Sequence, residues 1–324
     1  MKETKIISDI ALAAQDILLG NVVAIPTETV YGLAASIFNE SALKDIFKIK
    51  GRPQTSPLIV HIGRKEQVQD LCTNVPDVAY ELMDAFWPGP LTLLLPKKDV
   101  VSHTITSGLN RVGLRMPAHP VALELLQRCQ VPLAAPSANP FCSISPTTSA
   151  HVFNYFNGKL GYILEGGACS VGLESTIIGF EEGKCVVYRQ GGARLTDIEK
   201  ITGPVTFYNK TTSTSSAPGM LKRHYAPRTP LVFCTGNLAD CVEKQQGKKV
   251  GVLSFSVADD IKSTNVVISL ALSSAANEDE AAKNLYASLH YLDSLGLDVI
   301  ITAPMPHTAI GNAINDRLKR ASAL

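Results

Sequence analysis

The sequence predicts an α/β protein built from two domains. At 324 residues the chain is longer than a single hydrophobic core usually serves. Short apolar runs alternate with stretches of helical periodicity, which predicts helices packed against a β-sheet. Several predicted strands follow one another without an intervening helix, so the sheet of the first domain should be mixed rather than wholly parallel.

The first domain is predicted from apolar periodicity and from the turn residues that bound each run. Helices are expected where apolar residues recur at helical spacing: Ile6–Leu19, Ser41–Ile49, Val75–Phe86 and Pro120–Gln130. Strands are expected at short apolar runs: Val22–Ile25, Leu58–Ile62, Leu91–Leu95, Val112–Arg115, Leu133–Ala135, Tyr162–Leu164, Thr176–Phe180 and Cys185–Arg189. Asp9 and Asp16 lie within the first of these helices, so we interpret it as amphipathic rather than as a signal peptide.

A Thr/Ser-rich segment, Lys210–Gly219, has few apolar groups to bury and predicts a linker. The alternation beyond it predicts a small Rossmann-like parallel sheet, with strands at Leu231–Thr235, Val250–Ser254 and Val299–Thr302 and helices at Asp279–Leu292 and Ala309–Arg320. This second domain has no GxGxxG turn, so nothing in it indicates a dinucleotide. It also lacks a set of acid and base residues, and a packing or regulatory role is the interpretation that we prefer.

Composition excludes several classes of protein. The chain is 45% hydrophobic and 18% charged, as expected of a globular protein, and no apolar run approaches the length of a membrane span. Its net charge of +1 gives no general attraction to nucleic acid. The seven cysteines are scattered without a CxxC pair, which predicts a reducing cytosol and argues against a zinc site or a disulfide framework.

The most informative stretch begins where a predicted buried strand stops at Pro26, which has no N–H to donate. Thr27, Glu28 and Thr29 follow directly, and polar groups after a buried strand commonly line a ligand crevice. Lys50 and Arg52 stand in the KGRP turn, and the next strand ends on His61. We expect both strands to end at one edge of a sheet. These hydroxyl, carboxylate, imidazole and cationic groups would together suit a small amino or hydroxy acid beside a phosphate. Two ordinary strands joined by a solvated basic turn would show the same spacing.

Further polar residues follow later strands. Arg115 and Arg189 end strands, and guanidinium groups suit carboxylates and phosphates. Ser137, Asn139 and Ser145 lie on a loop after an apolar strand, where they can bind phosphate or ribose oxygens or simply cap turns. His61 could donate to a carboxylate or act as a base near neutral pH, although a buried structural histidine is the commoner outcome.

Several motifs together resemble one family. PTETVYGL followed by KGRPQTSPLIVHI closely resembles the YrdC-like family of threonylcarbamoyl-AMP synthases. Later blocks match it in the same order, so that the resemblance covers about residues 8–203: Phe86–Pro96, Val112–Pro117, Pro132–Thr147, Leu173–Phe180 and Val187–Gly192. The segment Ala217–Leu231 and the remaining C-terminal stretch resemble the longer, two-domain form of these enzymes.

The resemblance implies a fold and a reaction. The fold is a YrdC-like twisted mixed sheet with helices over residues 1–204, a linker or lid over 205–229, and a Rossmann-like domain over 230–324. The reaction joins L-threonine, bicarbonate and ATP into threonylcarbamoyl-AMP and releases pyrophosphate. This reaction mainly requires that the protein position two small anions against the triphosphate of ATP and neutralise the negative charge of the three substrates. The product serves a threonylcarbamoyl transferase complex that acts on tRNA, which implies a cytoplasmic protein without membrane attachment.

The resemblance also assigns residues, block by block. Four match positions that hold threonine: Thr29, His61, Arg115 and Ser175. Eight match positions that hold the nucleotide: Lys50, Arg52, Ser56, Ser137, Asn139, Ser145, Arg189 and Tyr225. Ser56 stands where many relatives have Asn, which is a departure from the family pattern. No catalytic residue and no metal ligand is assigned among Glu28, Glu165 and Glu174, because we expect Mg²⁺ to be carried by ATP.

Tyr225 belongs to the HYAP segment, which basic residues flank and which Pro218 and Pro227 stiffen. In the two-domain enzymes this segment looks like a lid over the nucleotide site, and that is our interpretation of it. A basic tether without further consequence is the alternative.

Two other functions fit parts of the sequence. A YrdC-like module can accept RNA on a basic concave surface, but acidic and basic residues nearly balance over residues 1–203, so such a surface would be local and weak. A carbamoyl-transfer maturation factor also contains this module, but such proteins carry CxxC zinc fingers and this chain has none.

Overall fold

The computed structural model describes residues 3–209, 217–219, 222–257 and 263–323, and the statements below concern those residues. The chain divides into two compact units. Unit 1 comprises Met1–Phe141, Pro146–Ser170 and Glu174–Met220, and unit 2 comprises Cys142–Ser145, Val171–Leu173 and Leu221–Leu324. The predicted α/β class, with a mixed sheet followed by a smaller parallel one, is confirmed.

Unit 1 is built on a twisted mixed sheet, in which eleven strands of the described part are joined. The strands are β1 (Lys5–Ile7), β2 (Val23–Ile25), β3 (Gly32–Ser36), β4 (Ile59–His61), β5 (Leu91–Pro96), β6 (Arg111–Arg115), β7 (Leu133–Ala134), β8 (Tyr162–Leu164), β9 (Thr176–Glu181), β10 (Lys184–Arg189) and β11 (Thr206–Phe207). Their order across the sheet is β1-β8-β2-β3-β7-β4-β6-β5-β9-β10-β11. Every predicted strand of this region is present, and β1, β3 and β11 are additional.

The helices of unit 1 pack apolar faces onto this sheet. They are α1 (Ile10–Leu18), α2 (Glu40–Lys50), α3 (Gln67–Leu71), α4 (Asp77–Phe86), α5 (His103–Thr106), α6 (Pro120–Cys129), α7 (Ser149–Phe156) and α8 (Leu195–Thr202). Asn39 caps the start of α2 by accepting from the Ala42 N–H, and Gly51 ends it in a left-handed conformation at φ 62°. This end places Lys50 and Arg52 on either side of a sharp turn.

The predicted first helix is wrong at its start. Residues 5–7 form β1, which pairs in parallel with β8, and the helix begins only after Asp9. The Asp9 carboxylate accepts from the Leu12 N–H at 3.0 Å, which is an N-cap contact. The apolar spacing that suggested one longer helix therefore serves a strand and then a helix, because a distant strand supplies the hydrogen bonds of the first three residues.

Unit 2 contains a four-stranded parallel sheet in its described part, as the sequence predicted. Its strands are β12 (Leu231–Phe233), β13 (Val250–Ser254), β14 (Val266–Ala271) and β15 (Val299–Thr302), in the order β12-β15-β13-β14. Its helices are α9 (Leu238–Glu243), α10 (Glu278–Ser294) and α11 (Ala309–Ala321). The edge strand β14 and the short α9 were not predicted, because edge position and brevity weaken an apolar pattern.

The prediction that argued against disulfides is wrong for one pair of cysteines. Cys234 and Cys241 form a disulfide, with their Cα atoms 6.3 Å apart. Cys234 directly follows β12 and Cys241 lies in α9, so the intervening turn brings the two residues into an ordinary disulfide distance. A pair seven residues apart has no CxxC signature, and the sequence alone therefore did not indicate it.

No helix within the described ranges is long and apolar enough to cross a membrane. Part of the predicted linker, residues 210–216 and 220–221, lies outside the described residues.

Candidate active site

Two predicted site residues, His61 and Arg115, occupy the last positions of neighbouring parallel strands. β4 and β6 pair so that His61 lies opposite Arg115. Aligned positions on paired strands project from the same face of a sheet. The two side chains are therefore neighbours, and only 3% and 4% of their residue surfaces are exposed.

The loop that carries Thr29 starts from the other edge of the sheet. β2 ends beside the start of β3, whereas β4 ends level with the end of β3. The expectation that β2 and β4 end at one edge is therefore wrong, because apolar runs alone do not reveal strand direction. The loop 26–31 and the long Arg115 side chain nevertheless bring Thr29 within hydrogen-bond distance of the Arg115 guanidinium.

The Arg115 guanidinium is held by three groups. Its Nη1 donates to Thr29 Oγ1 at 2.8 Å, and its Nε donates to the Gly89 carbonyl at 3.3 Å. Its Nη2 lies 2.7 Å from Glu28 Oε1 in a buried ion pair. Thr29 Oγ1 is in turn 2.8 Å from Thr27 Oγ1. A guanidinium fixed in this way can bind a carboxylate through its planar donors.

Ser175, which precedes β9, contacts Thr92 in β5 and Arg189 at the end of β10. Ser175 Oγ is 2.7 Å from Thr92 Oγ1 and accepts from Arg189 Nη2 at 3.1 Å. Nε and Nη2 of Arg189 also donate to the Ser175 carbonyl at 3.0 and 2.9 Å. A predicted threonine-binding residue and a predicted nucleotide-binding residue are thus in direct contact.

His61 is a neutral imidazole in this environment. Burial first, and then the positive charge of Arg115, lower its pKa from 6.5 to about 3. Its Nδ1 has no hydrogen-bond partner among the described residues. A histidine with so low a pKa is a weak base, so this environment favours a role of His61 as a neutral hydrogen-bonding group.

A second group of predicted residues surrounds Lys50. Its Nζ donates to the Ser137 carbonyl and, at 2.5 Å, to the Asn139 carbonyl. Lys50 is only 3% exposed, and Asn139 is only 1% exposed. The C-terminal end of α2 thus fixes the loop that follows β7.

Arg52 lies on the other side of the same turn. Its Nε and Nη2 donate to the carbonyls of Ser56 at 3.2 Å and Pro57 at 2.9 Å. Its guanidinium lies over the Phe141 ring, 5.7 Å from the ring centroid. The Phe141 N–H donates to the Lys50 carbonyl at 2.8 Å, which ties the two cations to one loop.

The two groups of residues meet through their loops. The Ala138 N–H donates to the Tyr31 carbonyl at 2.7 Å, and Gly32 forms a β-bridge with Ser137. The segment that carries Thr29 is therefore bonded to the segment that carries Ser137 and Asn139. These bonds connect the group around Arg115 with the group around Lys50, whereas Ser175 and Arg189 form a contact of their own within unit 1.

The other two nucleotide residues, Ser145 and Tyr225, belong to unit 2. His290 Nε2 lies 3.2 Å from the Ser145 carbonyl. Tyr225 is buried in a left-handed conformation at φ 63°, with its ring 5.9 Å from that of Tyr286. A bulky residue rarely adopts this conformation, so surrounding contacts hold it there.

The described part of the linker, residues 217–219, packs within unit 1. Ala217 is fully buried in an apolar cluster with Ile59 and Ile177. The Pro218 carbonyl accepts from Arg189 Nη1 at 3.2 Å. The linker thus contacts a predicted nucleotide-binding residue.

Sequence reasoning missed three supports of the site. Thr92, fully buried in an otherwise apolar strand, holds Ser175, and that isolated hydroxyl was a usable signal. Glu28, to which we assigned no role, pairs with Arg115. Glu165 accepts from Tyr31 at 3.3 Å and from two backbone N–H groups at 2.9 and 2.6 Å.

These bonds decide the role of Glu165. Burial alone would raise its pKa, but hydrogen bonds from Ser149, Gly167, Gly166 and Tyr31 lower it. The charged carboxylate is therefore a structural acceptor that fixes the loop after β8 against Tyr31. A serine nucleophile paired with a base is not formed at Ser175, whose neighbours are a threonine and an arginine. The arrangement suits the positioning and neutralisation of anions.

Two family models match successive parts of the chain. A Sua5/YciO/YrdC model, described as telomere recombination, matches residues 15–191. A model described as threonylcarbamoyl-AMP synthase, C-terminal domain, matches residues 193–323.

Full-length relatives agree with these matches. Threonylcarbamoyl-AMP synthase of Pyrococcus abyssi is 41% identical over 97% of this chain and 94% of the relative. Threonylcarbamoyl-AMP synthase of Bacillus subtilis is 39% identical over 97% of this chain and 92% of the relative. The crystal structure of P. abyssi Sua5 complexed with L-threonine matches with a TM-score of 0.89 and 39% identity, over 99% of this chain and 97% of that one.

Proposed function

The chain belongs to the Sua5/YrdC family and acts as an L-threonylcarbamoyladenylate synthase in tRNA modification, and we propose that unit 1 holds both of its substrates. Threonine binds at Thr29, His61, Arg115 and Ser175. ATP binds at the residues that the family resemblance assigns to it: Lys50, Arg52, Ser56, Ser137, Asn139, Ser145, Arg189 and Tyr225. The contact between Arg189 and Ser175 is the observation that carries this proposal, because it joins the two sets of residues.

The residues suggest how the reaction is assisted. Arg115 fixes the threonine carboxylate, which leaves the amine directed away from the guanidinium. The neutral amine attacks the carbon of bicarbonate and water leaves, which gives a carbamate. The carbamate carboxylate then attacks the α-phosphate of ATP and displaces pyrophosphate. Lys50, Arg52 and Arg189 balance the negative charge of the phosphates, and no covalent intermediate on the protein is required.

We further propose that Mg²⁺ enters with ATP. Among the described residues no group of three His, Cys, Asp or Glu side chains could hold a metal ion. Glu165 is committed to its protein donors, and Glu28 is paired with Arg115. Mg²⁺ commonly relies on substrate phosphates and few protein ligands, and this donor set fits that pattern.

The remaining assignments concern the surroundings of the site. We propose that the HYAP segment, within the predicted linker 205–229, covers the bound nucleotide and excludes water from the mixed anhydride. The product passes to a threonylcarbamoyl transferase complex that acts on tRNA, in the cytoplasm, where ATP and tRNA are available. We propose that direct RNA binding by this chain is weak and local, in keeping with the balanced charge.

Pyrophosphate release tests the proposal. The whole chain with Mg²⁺ and ATP should release pyrophosphate only when L-threonine and bicarbonate are both present, and without tRNA. Equal release with glycine, or without bicarbonate, would refute the substrate assignment. Release that requires RNA would instead favour the alternative of an RNA-dependent module.

A further inference from the structure

Glu28 is a buried carboxylate in the proposed threonine site. Only 5% of the residue surface is exposed, and Oε1 lies 2.7 Å from Arg115 Nη2. Neither carboxylate oxygen accepts a hydrogen bond from the described residues, so Oε1 is held by this ion pair alone and Oε2 has no partner there. Burying a charge is costly unless other groups satisfy it, so a half-satisfied buried carboxylate calls for a further donor.

The contrast with Glu165 shows what a purely structural carboxylate looks like in this protein. Glu165 accepts hydrogen bonds from two side chains and two backbone N–H groups. Glu28 has the single charged partner Arg115. A residue that served only to orient Arg115 would be expected to have its second oxygen satisfied by the protein.

Two further titratable groups lie close to the ion pair of Glu28 and Arg115, and neither adds a charge. Burial, and then the charge of Arg115, keep His61 neutral by lowering its pKa to about 3. Burial, and then the charge of Glu28, raise the pKa of the Cys169 thiol to about 12. The cluster of Glu28, His61, Arg115 and Cys169 therefore presents one positive and one negative group side by side. A zwitterionic amino acid carries the complementary pair of charges on neighbouring atoms.

We propose that Glu28 is a specificity-determining residue whose Oε2 binds the α-ammonium group of the substrate while Arg115 binds its α-carboxylate. This inference deepens the proposed function and rests on the placement of threonine beside Arg115. It explains why a carboxylate is buried against the arginine that must bind a substrate carboxylate. Glu28 then selects α-amino acids over carboxylic acids that lack the amine.

The test compares two ligands of the whole protein by calorimetric titration. L-Threonine carries the amine, and (R)-3-hydroxybutanoate keeps the carboxylate and the hydroxyl but lacks it. The wild type should bind threonine about tenfold to a hundredfold more tightly than the analogue, because this is the range that one charged hydrogen bond contributes to affinity. The Glu28→Gln variant should lose most of this preference, because threonine affinity falls while affinity for the analogue changes little or rises. Glu124→Gln, on the exposed surface of α6, is the matched control and should leave both affinities unchanged.

The outcomes separate this inference from the proposed function. Equal losses for both ligands in Glu28→Gln would show that Glu28 only orients Arg115, and would overturn the inference. Should Glu28→Gln fail to fold, a wild type that binds both ligands equally would overturn it as well. If Arg115→Ala leaves threonine affinity unchanged, the threonine placement itself fails. If Arg115→Ala weakens both ligands and Glu28→Gln removes the preference, both stand.

Discussion

Arg189 Nη2 donates to both the hydroxyl and the carbonyl of Ser175, at 3.1 and 2.9 Å, across the boundary between the two proposed subsites. The same guanidinium donates to the Pro218 carbonyl of the linker at 3.2 Å. One side chain thus contacts a residue of the proposed amino-acid subsite and a residue of the linker.

Arg189→Ala should therefore weaken both ATP and threonine. Loss of a charged hydrogen bond costs roughly 1.5–3 kcal/mol, or about tenfold to a hundredfold in affinity. Arg189→Lys should recover only part of either affinity, since an ammonium cannot reproduce the planar fork that reaches Ser175 and Pro218 together. Titration of each ligand separately checks this, and a loss confined to ATP would disprove the shared role.

Arg115→Ala and Ser175→Ala should weaken threonine more than ATP. Arg115 contacts Thr29 and Glu28, and Ser175 contacts Thr92, all within the proposed amino-acid subsite. We expect about a tenfold to hundredfold loss of threonine affinity on the same scale of charged hydrogen bonds. Unchanged threonine binding in both variants would move the amino-acid subsite elsewhere.

His61 should make the fold sensitive to acid. An unfolded chain binds a proton at this histidine below about its usual pKa of 6.5, whereas the folded chain does so only near a pKa of about 3. The unfolded state therefore binds more protons in this window, and the free energy of unfolding falls as the pH falls. One proton corresponds to about 1.4 kcal/mol per pH unit.

Denaturant titrations between these pH values check this prediction. In His61→Gln the free energy of unfolding should fall less steeply as the pH is lowered, by up to about 1.4 kcal/mol per pH unit. This difference in slope is expected whatever the effect of the substitution on stability at neutral pH. The exposed His103→Gln is the control, and its slope should match the wild type. Equal slopes in all three proteins would show that His61 titrates alike in the folded and unfolded states.

The HYAP segment should respond to the nucleotide rather than to threonine alone. Hydrogen exchange of residues 217–227 should slow when ATP and threonine are both bound, because a segment that closes over nucleotide is protected only in the closed state. Threonine alone should protect it less. Identical protection in both cases would make the segment a tether and remove Tyr225 from the site.

The sequence predicted the fold class and most strands of both units, while the assignment of residues to threonine and ATP stays a prediction. These predictions succeeded because apolar runs and turn residues are local signals, and because the motifs resemble one family along nearly the whole chain. The direction of a strand depends on its distant partners and not on its own residues. The loop that carries Thr29 is therefore expected from the sequence at the edge where β4 ends, whereas it starts from the opposite edge. β1 was taken for helix, since its partner β8 lies far along the chain.

Electrostatic roles were the hardest to predict. The low pKa of His61 depends on burial and on Arg115, which a different strand supplies. Glu28 and Glu165 look alike in the sequence, and only their hydrogen bonds distinguish a half-satisfied carboxylate from a structural one. The disulfide between Cys234 and Cys241 likewise depends on how β12 and α9 are joined.

Mass spectrometry of the product tests the central claim most directly. The whole chain would be incubated with Mg²⁺, ATP, L-threonine and isotopically labelled bicarbonate, without tRNA. The account predicts an adenylate that contains threonine and one labelled carbon, and predicts that Arg115→Ala forms about tenfold to a hundredfold less of it at threonine concentrations below the wild-type Kd. An adenylate without the label, or undiminished formation in Arg115→Ala, would contradict it.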